Sequence, residues 1–326
     1  MTTMRAPDHS PRARQRGAAL LTAMIIVTLV VTLSASMVWQ QWRAVQVEVA
    51  ERSRAQSAWI LAGALDWARL ILREDAKSGQ PTSLASPWAV PLAEARLSSF
   101  LAADKDNNSG DDGPEAFLSG SISDAQSRYN VSNLVDGSGA IVETEKEGFS
   151  QLCQALGLPA DVATRIATGL RDSSAKGTDG GSASAPLTPE TVAQLSWFGI
   201  EAATIQTLEP FITVLGFGVK VNVNTAPREV LAAAIKGLDL ATAERIVQAR
   251  QRTAFSDTAA IEALIPGLKN AALQNVIFKS DYFEVRGRLR LSDRTLEQRS
   301  LVQREGTGRV IVKHSEKVSS REAAGP

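Results

Sequence analysis

The sequence predicts an α+β chain: one long N-terminal helix packs on an antiparallel sheet, and a large all-α domain is inserted into that sheet. Three observations carry this. No charged residue occurs between Arg16 and Arg43. Residues 145–279 fall into successive helix-sized blocks separated by Gly and Pro. From Asp281 onward the period changes to two, with Phe283, Val285, Gly287 and Leu289 alternating against Tyr282, Glu284, Arg286 and Arg288.

Residues 1–16 are short, polar and basic, with Arg5, Arg12, Arg14 and Arg16 opposed only by Asp8. Ala18 to Val38 is then apolar, with Thr and Ser its only polar members. As a helix this run spans roughly 30 Å, the thickness of a hydrocarbon core. It is longer than the roughly 7–15 residues of a secretory h-region. Arginines ahead of the run predict a cytoplasmic leader and a single pass outward, and Trp39 and Trp42 fall where an interfacial aromatic belt would lie. In a bacterium, that predicts an inner-membrane anchor with the remaining chain in the periplasm. Helix formers continue to Lys77, with one stripe of Trp59, Ala62, Asp66 and Leu70 and a second of Leu61, Leu65, Ala68 and Leu72. The helix is read as residues 18–77, its transmembrane part as 18–38.

Beyond the helix, residues 78–140 read as a loop and the first strands of the sheet. Gly79, Pro81, Pro87 and Pro91 enclose a Trp88 expected to be exposed, Pro91–Leu101 reads as a short helix, and Glu115–Val135 as strand and turn. Residues 141–280 form the inserted helical domain. Its blocks are Glu145–Leu156, Ala160–Leu170, Pro189–Leu195, Glu201–Leu208, Pro227–Ile235, Ala241–Arg252 and Asp257–Leu264. Residues 281–314 supply the C-terminal antiparallel strands, with Gly306 in a turn, and 315–326 read as a disordered tail.

Composition narrows the chemistry. The formal net charge is zero over 326 residues, so no global field draws the chain to nucleic acid or anionic lipid. Cys153 is the only cysteine, which excludes an intrachain disulfide framework and a multi-cysteine metal site. The two histidines, His9 and His314, supply a histidine-driven triad poorly. No nucleophile elbow, P-loop or zinc motif is present. A non-catalytic role is therefore expected.

The stretch Gln15-Arg16-Gly17 followed by Ala18-Ala19-Leu20-Leu21-Thr22 resembles the type IV prepilin signal. That resemblance implies cleavage between Gly17 and Ala18 by prepilin peptidase, removal of the leader 1–17, and N-methylation of Ala18. The alternative is an uncleaved signal anchor in which Gly17 is incidental. Most of that superfamily carry glutamate at the fifth mature position, where this chain has Thr22. A carboxylate in an apolar helix is costly unless paired. A subunit with threonine has no charge to neutralise against a subunit above it, which suits the end of a filament.

Three further motifs complete the resemblance: Asp124-Ala-Gln-Ser-Arg-Tyr-Asn130, Val221-Asn-Val-Asn-Thr-Ala-Pro227 and Phe283-Glu-Val-Arg-Gly-Arg-Leu289. In this order, behind such an N-terminus, they resemble the minor pseudopilin K family of type II secretion over nearly the whole chain. The resemblance implies a pseudopilin fold, a pseudopilus-tip complex with minor pseudopilins of the I and J types, and a role in starting pseudopilus assembly. It also implies contact with secreted protein substrates.

The rival is a membrane-anchored DNA-uptake receptor, because residues 221–268 resemble a helix-hairpin-helix. That motif binds phosphate through N–H groups of a Gly-x-Gly hairpin. Here Gly237 is present, but Asp239 holds the second glycine position and would repel a phosphate. Packing against protein is the favoured use, and no nucleic-acid partner is expected.

The segment from Asp104 to Glu115 sets Asp104, Asp106, Asn108, Asp112 and Glu115 at EF-hand positions one, three, five, nine and twelve. Ser109 stands where glycine makes the sharp turn. A calcium loop and a solvated acidic turn both fit this segment. The family resemblance also implies calcium in the helical insert, but the matching stretch around Asp172 and Asp179 has few carboxylates.

Overall fold

A computed structural model of the chain describes residues 15–97, 116–174, 186–291, 294–306 and 308–321. The chain divides into two units, Met1–Trp59 and Ile60–Pro326. One continuous helix, α1 (Gln15–Lys77, 63 residues), runs through both. Among the described residues it is the single helix long and apolar enough to cross a membrane, its most apolar window having a mean hydropathy of 2.4. In the first unit Leu20, Ile25, Leu29, Leu33 and Val38 all stand exposed. An apolar surface this long is stable only in lipid or against other helices.

The second unit is built on a five-stranded sheet. Its strands are β1 (Leu92–Arg96), β2 (Ala116–Asp124), β7 (Tyr282–Leu291), β8 (Arg294–Glu305) and β9 (Arg309–Arg321). The order is β1-β2-β7-β8-β9, and every pairing is antiparallel. Strand parity sorts the two faces. Leu118, Ile122, Phe283, Val285, Leu289 and Val302 turn toward α1, where Leu61, Ala68 and Leu72 are buried against them. Trp67 and Leu70 occupy the opposite, exposed side of the helix. Gly287 allows this approach: Leu61 Cδ2 lies 3.2 Å from where its Cβ would stand. Arg69 adds a polar stitch, donating from Nε and Nη2 to the Val310 carbonyl at 2.9 and 2.7 Å.

Everything between β2 and β7 belongs to the insert. Its helices are α2 (Glu143–Ala155), α3 (Asp161–Ser174), α4 (Ala202–Leu208), α5 (Arg228–Ala234), α6 (Leu240–Arg250) and α7 (Thr258–Leu264). Two parallel two-residue pairs brace them: β3 (Tyr129–Asn130) with β4 (Ile212–Thr213), and β5 (Val221–Asn222) with β6 (Val276–Ile277). A single core runs from Tyr129 to Val276 and includes Phe149, Leu152, Ile166, Leu195, Leu231 and Ile246. Gly148 lets α2 lie directly on α5, because a Cβ there would sit 2.3 Å from the Ala233 carbonyl oxygen.

Five local expectations are corrected. Residues 92–96 are strand, although Leu-Ala-Glu-Ala-Arg favours helix: an edge position beside β2, a Glu94–Arg290 ion pair at 2.8 Å and Arg96 over the Phe117 ring override propensity. Trp88 is buried, because Pro87 opens a 3₁₀ turn (Pro87–Ala89) that sets the indole edge-on to Phe283 at 5.3 Å. The insert starts just after Asp124 rather than at 141, since Tyr129, Val131, Leu134 and Val135 already belong to the helical core. Residues 315–321, read as tail, continue β9 beside β8 with a bulge between Leu301 and Val302. Within the insert, the block at 189–195 is instead a 3₁₀ helix over Val192–Phe198, closed by Gly199 at φ 74°.

Leu72 is fully buried against the sheet, whereas Leu70 is 43% exposed. Leu72→Ala should lower unfolding stability by about 2–5 kcal/mol, and Leu70→Ala should stay within about 0.5 kcal/mol. Urea titration of the detergent-solubilised chain followed by tryptophan fluorescence reads both.

Candidate functional site

The three interior motifs meet in one buried polar junction between insert, sheet and the Lys77 end of α1. At its centre is Asp124, at the end of β2. Its Oδ2 accepts from Thr225 Oγ1 and Ser280 Oγ, both at 2.6 Å, and from Asn222 Nδ2 at 2.9 Å. Its Oδ1 accepts from the Gln126 N–H at 2.8 Å. Burial raises the Asp124 pKa above the ordinary carboxylate value, while these four donors pull it back toward the ionised form. Asn222 also donates to the Thr82 carbonyl at 3.1 Å and to Ser280 Oγ at 2.8 Å.

Arg304 closes the cluster. Its guanidinium donates to Asp75 on α1 at 2.9 Å, to Thr82 Oγ1 at 3.1 Å and to the Ser280 carbonyl at 2.6 Å. It also lies over the Phe283 ring. Beside it, Gln126 Oε1 accepts from the N–H groups of Asp281 and Tyr282, and Gln126 Nε2 donates to the Lys220 carbonyl. Arg128 pairs with Glu284 at 2.6 Å, both side chains being largely buried. Burial alone would raise the Glu284 pKa, but Arg128 and Arg286 outweigh it and hold the carboxyl below its ordinary value. With its lone pairs engaged by four donors, Asp124 has no free position for a substrate or a metal. The arrangement fixes the insert to the sheet.

A second cluster lies inside the insert. Tyr129 stacks on Phe149 at 5.5 Å and donates to Glu145 Oε2 at 2.5 Å, and Asn275 donates to Glu145 Oε1. Burial raises the pKa of both Glu145 and Tyr129. This cluster joins β3, α2 and the turn before β6.

The helix-hairpin-helix segment folds as α5, a turn with Gly237 at φ 80°, and α6; a second turn after α7 holds Gly267 at φ 93°. Asp239 caps α6, its Oδ1 accepting from the Thr242 N–H at 2.6 Å. A phosphate at this helix start would have to displace a carboxylate already bound there. Three nearby arginines are engaged by protein: Arg250 donates to the Val223 and Ala226 carbonyls, Arg245 to the Leu264 carbonyl, and Arg228 pairs with Glu229 and Glu244.

Of the residues singled out at the N-terminus, Gly17 and Ala18 lie within α1. Thr22 Oγ1 donates to the Ala18 and Ala19 carbonyls at 2.9 and 3.0 Å. Its hydroxyl is thus satisfied by its own helix and carries no charge into the apolar stretch. The calcium candidates Asp104, Asp106, Asn108, Asp112 and Glu115 lie outside the described residues, as does Asp179. Asp172 pairs with Arg171 at 2.8 Å. Among the described residues, no group of three or more His, Cys, Asp or Glu side chains could hold a metal ion.

Sequence reasoning missed Asp75, Thr82, Ser280 and Arg304. One signal was available for Arg304: it shares strand parity with the buried Val302, so a charge at that position must find partners inside.

Two variants probe the junction. Asn222→Ala removes donors from Asp124 and Thr82 and should cost about 1–3 kcal/mol in a denaturant titration. The lowered Glu284 pKa gives stability that is full above the ordinary value of 4.5 and is lost as pH falls through the folded-state value. The stability gap between the wild type and Glu284→Gln should therefore narrow as pH is lowered from neutral to below 4.5. A gap independent of pH would show that the Arg128–Glu284 pair contributes nothing.

Comparison with known proteins gives a consistent answer. Two family models described as type II secretion system (T2SS), protein K match residues 127–217 and 221–279. The type II secretion system protein K of Pectobacterium carotovorum is 28% identical, with 90% of this chain and 94% of that protein covered. Those of Pseudomonas aeruginosa and Klebsiella pneumoniae are 27% and 28% identical, over 92% and 90% of this chain and 92% and 94% of theirs. A chain in the crystal structure of the GspK-GspI-GspJ complex from enterotoxigenic Escherichia coli shares the fold, with a TM-score of 0.63 and 19% identity, covering 83% of this chain and 99% of that one. By both family models and these relatives, the chain is similar to the type II secretion system protein K family over most of its length.

Proposed function

We propose that this minor pseudopilin caps the tip of the pseudopilus together with minor pseudopilins of the I and J types, and that it helps start assembly for export of folded periplasmic proteins across the outer membrane. The observation that carries the reading is α1. Its stretch from Ala18 to Trp42 is uncharged, largely apolar and exposed, while from Ile60 onward it is welded to a folded body. Such a helix needs lipid or neighbouring helices around it. Thr22, neutral and bonded within its own helix, needs no partner above, which fits the end of a filament. The insert would then block addition of a further subunit. The GspK chain of similar fold was solved with GspI and GspJ, which supports partners of those types here. Asp239 on the α6 cap counts against a DNA-uptake receptor.

In this reading the chain is a single-pass inner-membrane protein with its body in the periplasm, and prepilin peptidase cleaves between Gly17 and Ala18 and methylates Ala18. It carries no catalysis of its own. The oxygen spacing of Asp104, Asp106, Asn108, Asp112 and Glu115 supports one bound Ca²⁺ there.

Mass spectrometry of the chain from peptidase-competent cells should find N-methylated Ala18 as its first residue, and Gly17→Val should keep the leader. The wild-type leader still attached would overturn the filament reading. Calcium should raise the melting temperature of the wild type and leave that of Asp104→Ala/Asp106→Ala unchanged; equal shifts would remove the ion from this loop.

A further inference from the structure

Asn130, which ends the first interior motif, and Asn133 just beyond it have a task that the polar junction does not use. Asn130 and Asn133 face the connection between β4 and β5, residues 214–220, and bond its backbone from both ends. Asn130 Oδ1 accepts from the Leu215 N–H at 3.0 Å, and Asn130 Nδ2 donates to the Gly216 carbonyl at 2.9 Å and the Val219 carbonyl at 3.3 Å. Asn133 Oδ1 accepts from the Gly218 N–H at 2.9 Å, and its Nδ2 donates to the Val219 carbonyl at 2.8 Å. Gly218 takes φ 81°, a conformation that a residue with a Cβ rarely adopts. Gln126 holds the next carbonyl, that of Lys220.

This bonding fixes a short turn whose tip is Phe217, 59% exposed and flanked by two exposed glycines. Exposed phenylalanines on mobile loops are commonplace; one held on a pre-ordered turn is a different object. Fixing the turn in advance removes the ordering cost that a flexible loop would meet on binding. A rigid aromatic with a polar surround is the usual form of an interface anchor. Lys220 is exposed and, among the described residues, has no carboxylate partner in an ion pair, so a complementary pocket would carry an acidic rim.

The size of this anchor also selects the partner. One phenylalanine and one lysine bury far less than the roughly 1,200–2,000 Å² of a stable complex between freely diffusing proteins. Between proteins tethered to one membrane the effective concentration is far higher, and a small contact suffices. We propose that the 216–218 turn docks Phe217 into an apolar, acid-rimmed pocket of a membrane-anchored neighbouring subunit. This rests on the tip-assembly reading, and it names the surface through which the insert meets its neighbour.

The test co-reconstitutes full-length chain with purified full-length minor pseudopilin I or J as the probe in the same vesicle membrane, and reads binding by energy transfer between labels. Phe217→Ala should melt with the wild type, because the ring is exposed, yet bind about tenfold more weakly. Asn133→Ala should also weaken binding although Phe217 remains, a readout that a loss of surface area alone would not produce. Wild-type binding with Phe217→Ala undiminished overturns the docking turn and leaves the assembly reading standing. Failure of the wild type to bind either probe overturns both. A photo-crosslinking amino acid at 217 in secreting cells should give an adduct with a pseudopilin, and an adduct confined to a secreted protein would overturn the proposal.

Discussion

Arg304 sits on the inward face of β8, where water cannot reach its guanidinium. A charge there is tolerable only if several acceptors surround it at once. Asp75 at the end of α1, Thr82 in the following loop and the Ser280 carbonyl before β7 supply them. Because Ser280 and Thr82 also serve Asp124 and Asn222, satisfying one arginine dictates where the helix ends, where the sheet closes and where the insert leaves it. Buried polar networks of this kind stabilise weakly on balance but penalise any arrangement that leaves a member unpaired. The junction therefore acts chiefly on orientation, holding the insert in a defined place on the sheet.

The anchor helix obeys two solvents along one rod. Up to Val49 its apolar side chains are bare, and the hydroxyls of Thr22, Thr28, Thr32 and Ser36 return to the helix backbone. From Ile60 the same helix is amphipathic, with small and apolar residues against the sheet and Asp66, Trp67 and Leu70 turned away. No break in the helix marks the change. It is written only in which side chains find partners.

Much of this was legible from residue patterns. The stripe Leu61, Leu65, Ala68 and Leu72 identified the buried side of α1, and the period-two alternation after Asp281 identified β7 and β8. The helical blocks appeared because each has its own capping or breaking residues, such as Asp239 and Asp257 at the starts of α6 and α7. What stayed hidden depended on partners distant in sequence. Leu92–Arg96 is strand because β2 lies beside it, and Trp88 is inside because Phe283 is there to receive it. Asp124 and Asn222 were visible as members of motifs, but nothing local to either shows that they share a hydrogen bond across 98 residues. The proposed processing at Gly17 and Ala18 rests on a short linear pattern alone, with no distant partner involved.

The sheet order carries a kinetic consequence. β2 is completed only when β7 pairs with it, and the chain between them is the whole insert, so that Asp124 and Ser280 meet across 156 residues. Long-range strand pairing of this kind is slow, because a large loop must be closed before contacts reward it. An insert that folds first draws those ends together and shortens the search. During synthesis, β2 would wait with an open side, and the helical domain would act as the clasp that decides when the sheet can shut.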